Sequence, residues 1–139
     1  MAYSLQVAPV SAADNASLVS HVAALVNEAY SKTEEGIFGA GYRRTNEYDI
    51  ATYMRQGQLV TASDSANSVV GCVVIKHLSQ RLGDMGPLAL ESTLHGTGLG
   101  RSLVHFAEQH CRQLGCTTMR LELVVPTSFH HDFKARLQN

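Results

Sequence analysis

The chain has 139 residues, 45% of them hydrophobic and 17% charged, enough for one domain with a genuine core and too little for two. Eleven Lys and Arg stand against 12 Asp and Glu, a formal net charge of −1, which leaves no basic excess for a run of phosphates and excludes nucleic acid as an expected partner. The longest apolar stretch, VVGCVVI (69–75), is far too short to span a bilayer, and MAYSLQVAPVSAAD lacks the charge and apolar core of a secretory signal, so no membrane partner is expected.

LQVAPV (5–10) alternates as a short strand, with Pro9 marking a sheet edge. Asp14 or Asn15 then caps a helix whose apolar positions Leu18, Val22, Leu25, Val26 and Ala29 recur at helical spacing. The glycine-punctuated TEEGIFGAGYRRT (33–45) reads as a loop. Asn46 caps a shorter helix, EYDIATYMRQ, which Gly57 stops. Strands follow over 58–63, 68–78 and about 84–91, joined by the turns DSAN and SQRLG as an antiparallel meander. A helix runs from about Gly100 to Leu114 with the apolar face Leu103, Val104, Ala107, Cys111 and Leu114, and Gly115 ends it. TTMRLELVV (117–125) is a strand stopped by Pro126, and SFHHDFKARLQN is a final amphipathic piece. The class is α/β, or α+β with a mixed sheet, in which residues 84–125 form one right-handed βαβ crossover. Cys72, Cys111 and Cys116, an odd number without CxxC spacing, fit reduced thiols in a cytoplasmic protein, and Cys72 reads as core.

The chemistry concentrates in STLHGTGLGRSLVHFAEQ (92–109). A strand, a glycine-rich turn and a helix N-terminus together present unsatisfied amide N–H groups and the positive end of the helix dipole, which suits an anion. The plainer alternative is a tight turn. GTGLGRS has neither the spacing nor the lysine of a GxxxxGK[ST] phosphate loop. A GxGxxG dinucleotide fingerprint lacks its third glycine here, although Glu122 on the next strand would suit a ribose. HHD (130–132) has no second cluster to complete a metal site, and no metal is expected. His105 and His110 read as surface or packing residues.

LALESTLHGTGLGRSLVHFAEQHCRQLGCTTMRLEL resembles the acetyl-CoA-binding core of the GNAT superfamily of acyl-CoA N-acyltransferases, whose motif is [QR]xxGxG at a helix start. Gly98, Leu99 and Gly100 match its end and Gly96 a common extra glycine. His95 replaces the usual glutamine or arginine, and Ser92 a common proline. The order of elements from residue 5 to about 137 agrees, and VNEAYSKTEEGIFGAGYRRT resembles the family's acceptor-side loop. The resemblance implies a GNAT-like fold and acetyl transfer from acetyl-CoA to a primary amine, on a small molecule or a peptide, by direct attack in a ternary complex. It places the pyrophosphate on the N–H groups of His95, Gly96, Thr97, Gly98, Leu99, Gly100 and Arg101, with Arg101 and Ser102 available to its charge. The pantetheine arm then runs beside Leu88, Ala89 and Leu90, and a backbone N–H near Leu90 polarises the thioester carbonyl. Glu91 is the candidate general base, with Asp84 at the start of the same strand and Glu34, Glu35 and Tyr42 in the loop as the other candidates. Glu34, Glu35, Tyr42 and Arg43 are candidates for the acceptor side.

The family takes its general acid from a tyrosine on the helix after the last strand, and FKARLQN contains none. The fold is therefore expected to be C-terminally incomplete, with a homodimer or swapped oligomer completing the sheet. The alternative function is an acyl-CoA-binding or assembly module that does not turn over.

Overall fold

The computed structural model describes residues 3–38 and 45–121, and for 31–38 and 121 only the backbone. Among the described residues strand β1 (Ser4–Val7) is an edge strand, as Pro9 implies, and the chain then makes a 3₁₀ turn over Val10–Asp14. Asn15 begins α1 (Ala16–Phe38), its side-chain oxygen accepting the Leu18 N–H at 3.1 Å. The helix continues past Thr33, where a loop is expected. No proline interrupts it, and a single interior glycine, Gly36, costs a helix only about 1 kcal/mol.

Asn46 caps α2 (Glu47–Arg55) through the Asp49 N–H at 2.8 Å. Strands β2 (Leu59–Ser63), β3 (Val69–His77) and β4 (Leu82–Leu90) form the expected antiparallel meander. Asp64 closes the first turn by accepting from the N–H groups of Ala66 and Ser68, both at 3.0 Å. Helix α3 (Leu99–Gln113) leads to β5 (Thr118–Leu121), which lies parallel to β4. Among the described residues the sheet order is β1-β2-β3-β4-β5.

Helix α3 ends in a Schellman arrangement. The Cys116 N–H meets the Cys111 carbonyl at 2.9 Å and the Gly115 N–H meets that of Arg112 at 3.0 Å, with Gly115 at φ +95°. This turn exposes Leu114, which was expected on the apolar face. The buried face is instead Leu99, Leu103, Ala107 and Cys111.

Two apolar cores sandwich the sheet. Val22, Val26, Ile50 and Met54 from α1 and α2 pack with Leu59, Cys72, Val74 and Ala89. Leu103, Ala107 and Cys111 of α3 pack with Val60, Val73, Ile75 and Met85. All three cysteines are buried free thiols. Burial pushes the Cys72 thiol up to about 12; burial, then the neighbouring Cys116, pushes Cys111 up to about 11. No helix among the described residues is long and apolar enough to cross a membrane.

The register of β4 breaks midway. Val73 stands opposite Leu88 but Ile75 opposite Met85, so Gly86 and Pro87 together face Val74. This is a β-bulge, and proline, which has no N–H to give a ladder, is tolerated there. The Gly86–Pro87 peptide is cis.

Candidate active site

The bulge divides β4 into two halves with different neighbours. The first half pairs on both sides, with β3 and, from Leu82 to Met85, with β5. Asp84 is buried there and accepts from Arg120 Nε of β5 at 3.2 Å. Asp84 is thus a paired carboxylate at the far end of the strand from the glycine loop, not a solvated base candidate.

The second half presents its backbone differently. The Glu91 N–H donates to Val70 O at 2.9 Å, so by strand alternation Ala89 also faces β3, while Leu88 and Leu90 turn their N–H and C=O groups away. On that outer edge the Leu88 N–H donates to the Tyr30 hydroxyl of α1 at 3.1 Å. The hydroxyl takes the place a ladder carbonyl would hold.

Beyond β4 a 3₁₀ turn over Ser92–Leu94 leads into the glycines. Gly96 and Gly98 hold φ of +84° and +90°, a region side chains rarely adopt, and a Cβ on either would meet nothing within 4 Å. Their role is conformational, and the space they face is open. Gly98 caps α3, whose first intrahelical bond runs from the Ser102 N–H to the Gly98 carbonyl at 3.0 Å. The His95 and Thr97 N–H groups are engaged within the turn, at 3.5 Å to Ser92 O and 3.3 Å to Leu94 O. The Leu99 N–H donates to Thr97 Oγ1 at 3.5 Å, which leaves Gly96, Gly98, Gly100 and Arg101 as the amide donors not engaged in the turn's own bonding. The Ser102 hydroxyl bonds back to the Gly98 carbonyl at 3.1 Å, while Arg101 is exposed beside it.

A cleft of about 590 Å³ joins these parts, within the range that holds small ligands. Leu25, Glu28 and Ala29 of α1 line one wall and Leu90, Glu91, Ser92, Thr93 and His95 the other. The structure thus brings Glu91, Leu90 and His95 onto one cleft, and the glycine turn follows directly from His95. Glu34 and Glu35 lie on the α1 backbone without a described side chain, and Tyr42 and Arg43 lie outside the described residues, as do the HHD cluster, Glu122 and FKARLQN. Among the described residues no group of three metal-ligating side chains converges.

Two side-chain contacts escaped the sequence pattern. Tyr30 looks like one more residue on the apolar stripe of α1. Asn27 on the same helix brackets Thr45, donating from Nδ2 to its carbonyl at 3.0 Å and accepting its N–H at 2.9 Å. This bond pair fixes where the stretch after α1 rejoins the core. An asparagine inside a helical apolar pattern was the available signal.

A family model described as "Acetyltransferase (GNAT) family" matches residues 23–133. No curated protein sequence matches the chain. Among solved structures, the NatC complex bound to Gag peptide and CoA contains a chain similar at TM-score 0.71 and 21% identity, covering 99% of this chain and 84% of that one. N-acetylglutamate synthase from Neisseria gonorrhoeae, complexed with coenzyme A and N-acetyl-glutamate, is similar at TM-score 0.68 and 18% identity, over 98% of this chain but 28% of that one. Rv2747 from Mycobacterium tuberculosis, in complex with CoA and NLQ, is similar at TM-score 0.64 and 19% identity, over 96% and 69%. At these identities the likeness is one of fold.

Proposed function

The chain belongs to the acetyltransferase (GNAT) family, and from that premise we propose that it transfers an acetyl group from acetyl-CoA to a primary amine by direct attack in a ternary complex. The observation that carries this reading is the continuity of two features. A set of unengaged amide N–H groups lies at the α3 N-terminus, and the outer edge of β4 leads away from it.

The diphosphate rests on the N–H groups of Gly96, Gly98, Gly100 and Arg101, where the helix dipole and the Arg101 guanidinium favour negative charge. The pantetheine arm runs from there beside Leu90, Ala89 and Leu88, pairing as an added strand would. It meets Leu90 before Leu88. The Leu90 N–H therefore serves the arm, and the N–H that polarises the thioester carbonyl is that of Leu88, one pleat further along than the sequence suggested.

The amine nitrogen bonds to the carbonyl carbon, the C–S bond breaks, and the developing oxyanion keeps its hydrogen bond to the backbone N–H. Glu91, which lines the cleft, is the proposed base. It stands about 10 Å up the strand from Leu88, so the proton of the amine passes through water to Glu91 and on to the departing thiolate. The acceptor is a small amine or a peptide amine approaching past α1, where Glu34, Glu35, Tyr42 and Arg43 are the proposed contacts. β5 pairs only with β4 among the described residues, so its other side is where a second copy would add a strand. A strictly monomeric species in light scattering removes that part of the reading.

Thiol release from acetyl-CoA, measured against a panel of small and peptide amines, tests the function. Release that depends on an amine is expected, and Glu91→Gln should lower it well over tenfold. Tight binding of acetyl-CoA without release for any amine would favour a binding module instead.

A further inference from the structure

On the outer edge of β4 beyond the bulge, the Leu88 N–H has a defined partner, and that partner is a side chain from another layer. Tyr30 is half-buried against the α1–α2 core, yet its hydroxyl reaches the edge of the sheet and accepts this N–H at 3.1 Å. An amide N–H makes one good hydrogen bond at a time. The hydroxyl and a thioester carbonyl arriving along β4 therefore claim the same proton.

We propose that Tyr30 is a displaceable cap on the carbonyl-binding donor. Its hydroxyl yields the Leu88 N–H when an acyl group lies along β4 and retakes it when the acyl group has left. Tyr30 thereby sets the affinity for the acyl-loaded donor separately from that for the CoA product. This inference rests on the binding path along β4 given above. Free CoA has no thioester carbonyl and leaves the Tyr30–Leu88 bond in place. Acetyl-CoA exchanges one neutral hydrogen bond for another and gains little from it. Tyr30 acts through the Leu88 N–H and is a positioning residue.

Tyr30→Phe keeps the ring in its packing and removes only the oxygen. In that variant the thioester carbonyl no longer competes for the N–H. Calorimetric titration of wild type and Tyr30→Phe with acetyl-CoA and with CoA, no amine being present, reads the consequence. The ratio of acetyl-CoA affinity to CoA affinity should rise about two- to tenfold, the worth of one neutral hydrogen bond, while CoA affinity stays constant. In the wild-type protein, the amide resonance of Leu88 should shift markedly further on adding acetyl-CoA than on adding CoA, a readout that does not depend on the variant folding. An unchanged or lowered affinity ratio, or a Leu88 amide that responds alike to both ligands, overturns the cap while leaving the binding path intact. Failure of wild type to bind either ligand overturns the cap and the binding path together.

Discussion

The two halves of β4 share a strand and little else. From Leu82 to Met85 the backbone is held between β3 and β5, and Asp84 ties the parallel pair to Arg120. From Leu88 to Leu90 the outer edge meets a tyrosine hydroxyl and a cleft. Between them Gly86 and Pro87 bulge against Val74, so the ladder is broken at the boundary. On the proposed binding path, one half of the strand serves stability and the other recognition, and the irregularity between them separates the two registers.

The sharpest way to test that division is to damage each half separately. Gly98→Val puts a β-branched residue at φ +90° just beyond the recognition half. Acetyl-CoA affinity should fall tenfold or more by calorimetry. Next comes the core behind that half, where Cys72 pairs with Ala89. Burial raises its thiol from an ordinary 9.0 to about 12 in the folded protein. The unfolded chain therefore loses that proton first. Stability should be unaffected by this group below pH about 9 and decline above it by up to about 1.4 kcal/mol per pH unit until the folded thiol titrates. Urea unfolding across that range should show the slope, and Cys72→Ala should lessen it, the remainder coming from Cys111, whose thiol is pushed up to about 11. In the structural half, Asp84→Asn weakens the bond to a largely exposed arginine and should cost about 1–2 kcal/mol of stability. Its effect on acetyl-CoA affinity should stay within about twofold; a loss as large as that of Gly98→Val would erase the distinction between the halves. Smallest is Asn46→Ala, remote from both, which should cost about 1 kcal/mol in thermal unfolding and leave acetyl-CoA binding unchanged.

Local signals carried most of the fold. Asn15 and Asn46 cap the helices that follow them, Gly115 ends α3, and the meander follows from alternating runs cut by DSAN and SQRLG. In each case the residue's own hydrogen bond or dihedral acts within a few positions. The glycine loop was legible for the same reason, since positive φ is a local demand. Contacts between distant positions were not. Tyr30 and Leu88 are 58 positions apart, and Asp84 and Arg120 are 36 apart. Periodicity assigns Tyr30 to an apolar stripe and Asp84 to a strand start; only the placement of α1 over the sheet and the crossover through α3 reveal their partners. Helix α1 past Thr33 was missed because a glycine and two glutamates look like a loop, while the backbone tolerates them in a helix.

The most direct measurement of acyl-CoA binding along β4 is an amide-resolved nuclear magnetic resonance titration of the wild-type chain with acetyl-CoA. The expected result is that the amides of Gly96, Gly98, Gly100, Arg101, Leu90 and Leu88 shift together along one saturation curve, while those of Leu82–Met85 hold their positions. Binding that leaves the glycine amides and Leu90 unmoved, or shifts that fall on the Asp84 half of the strand instead, would contradict it.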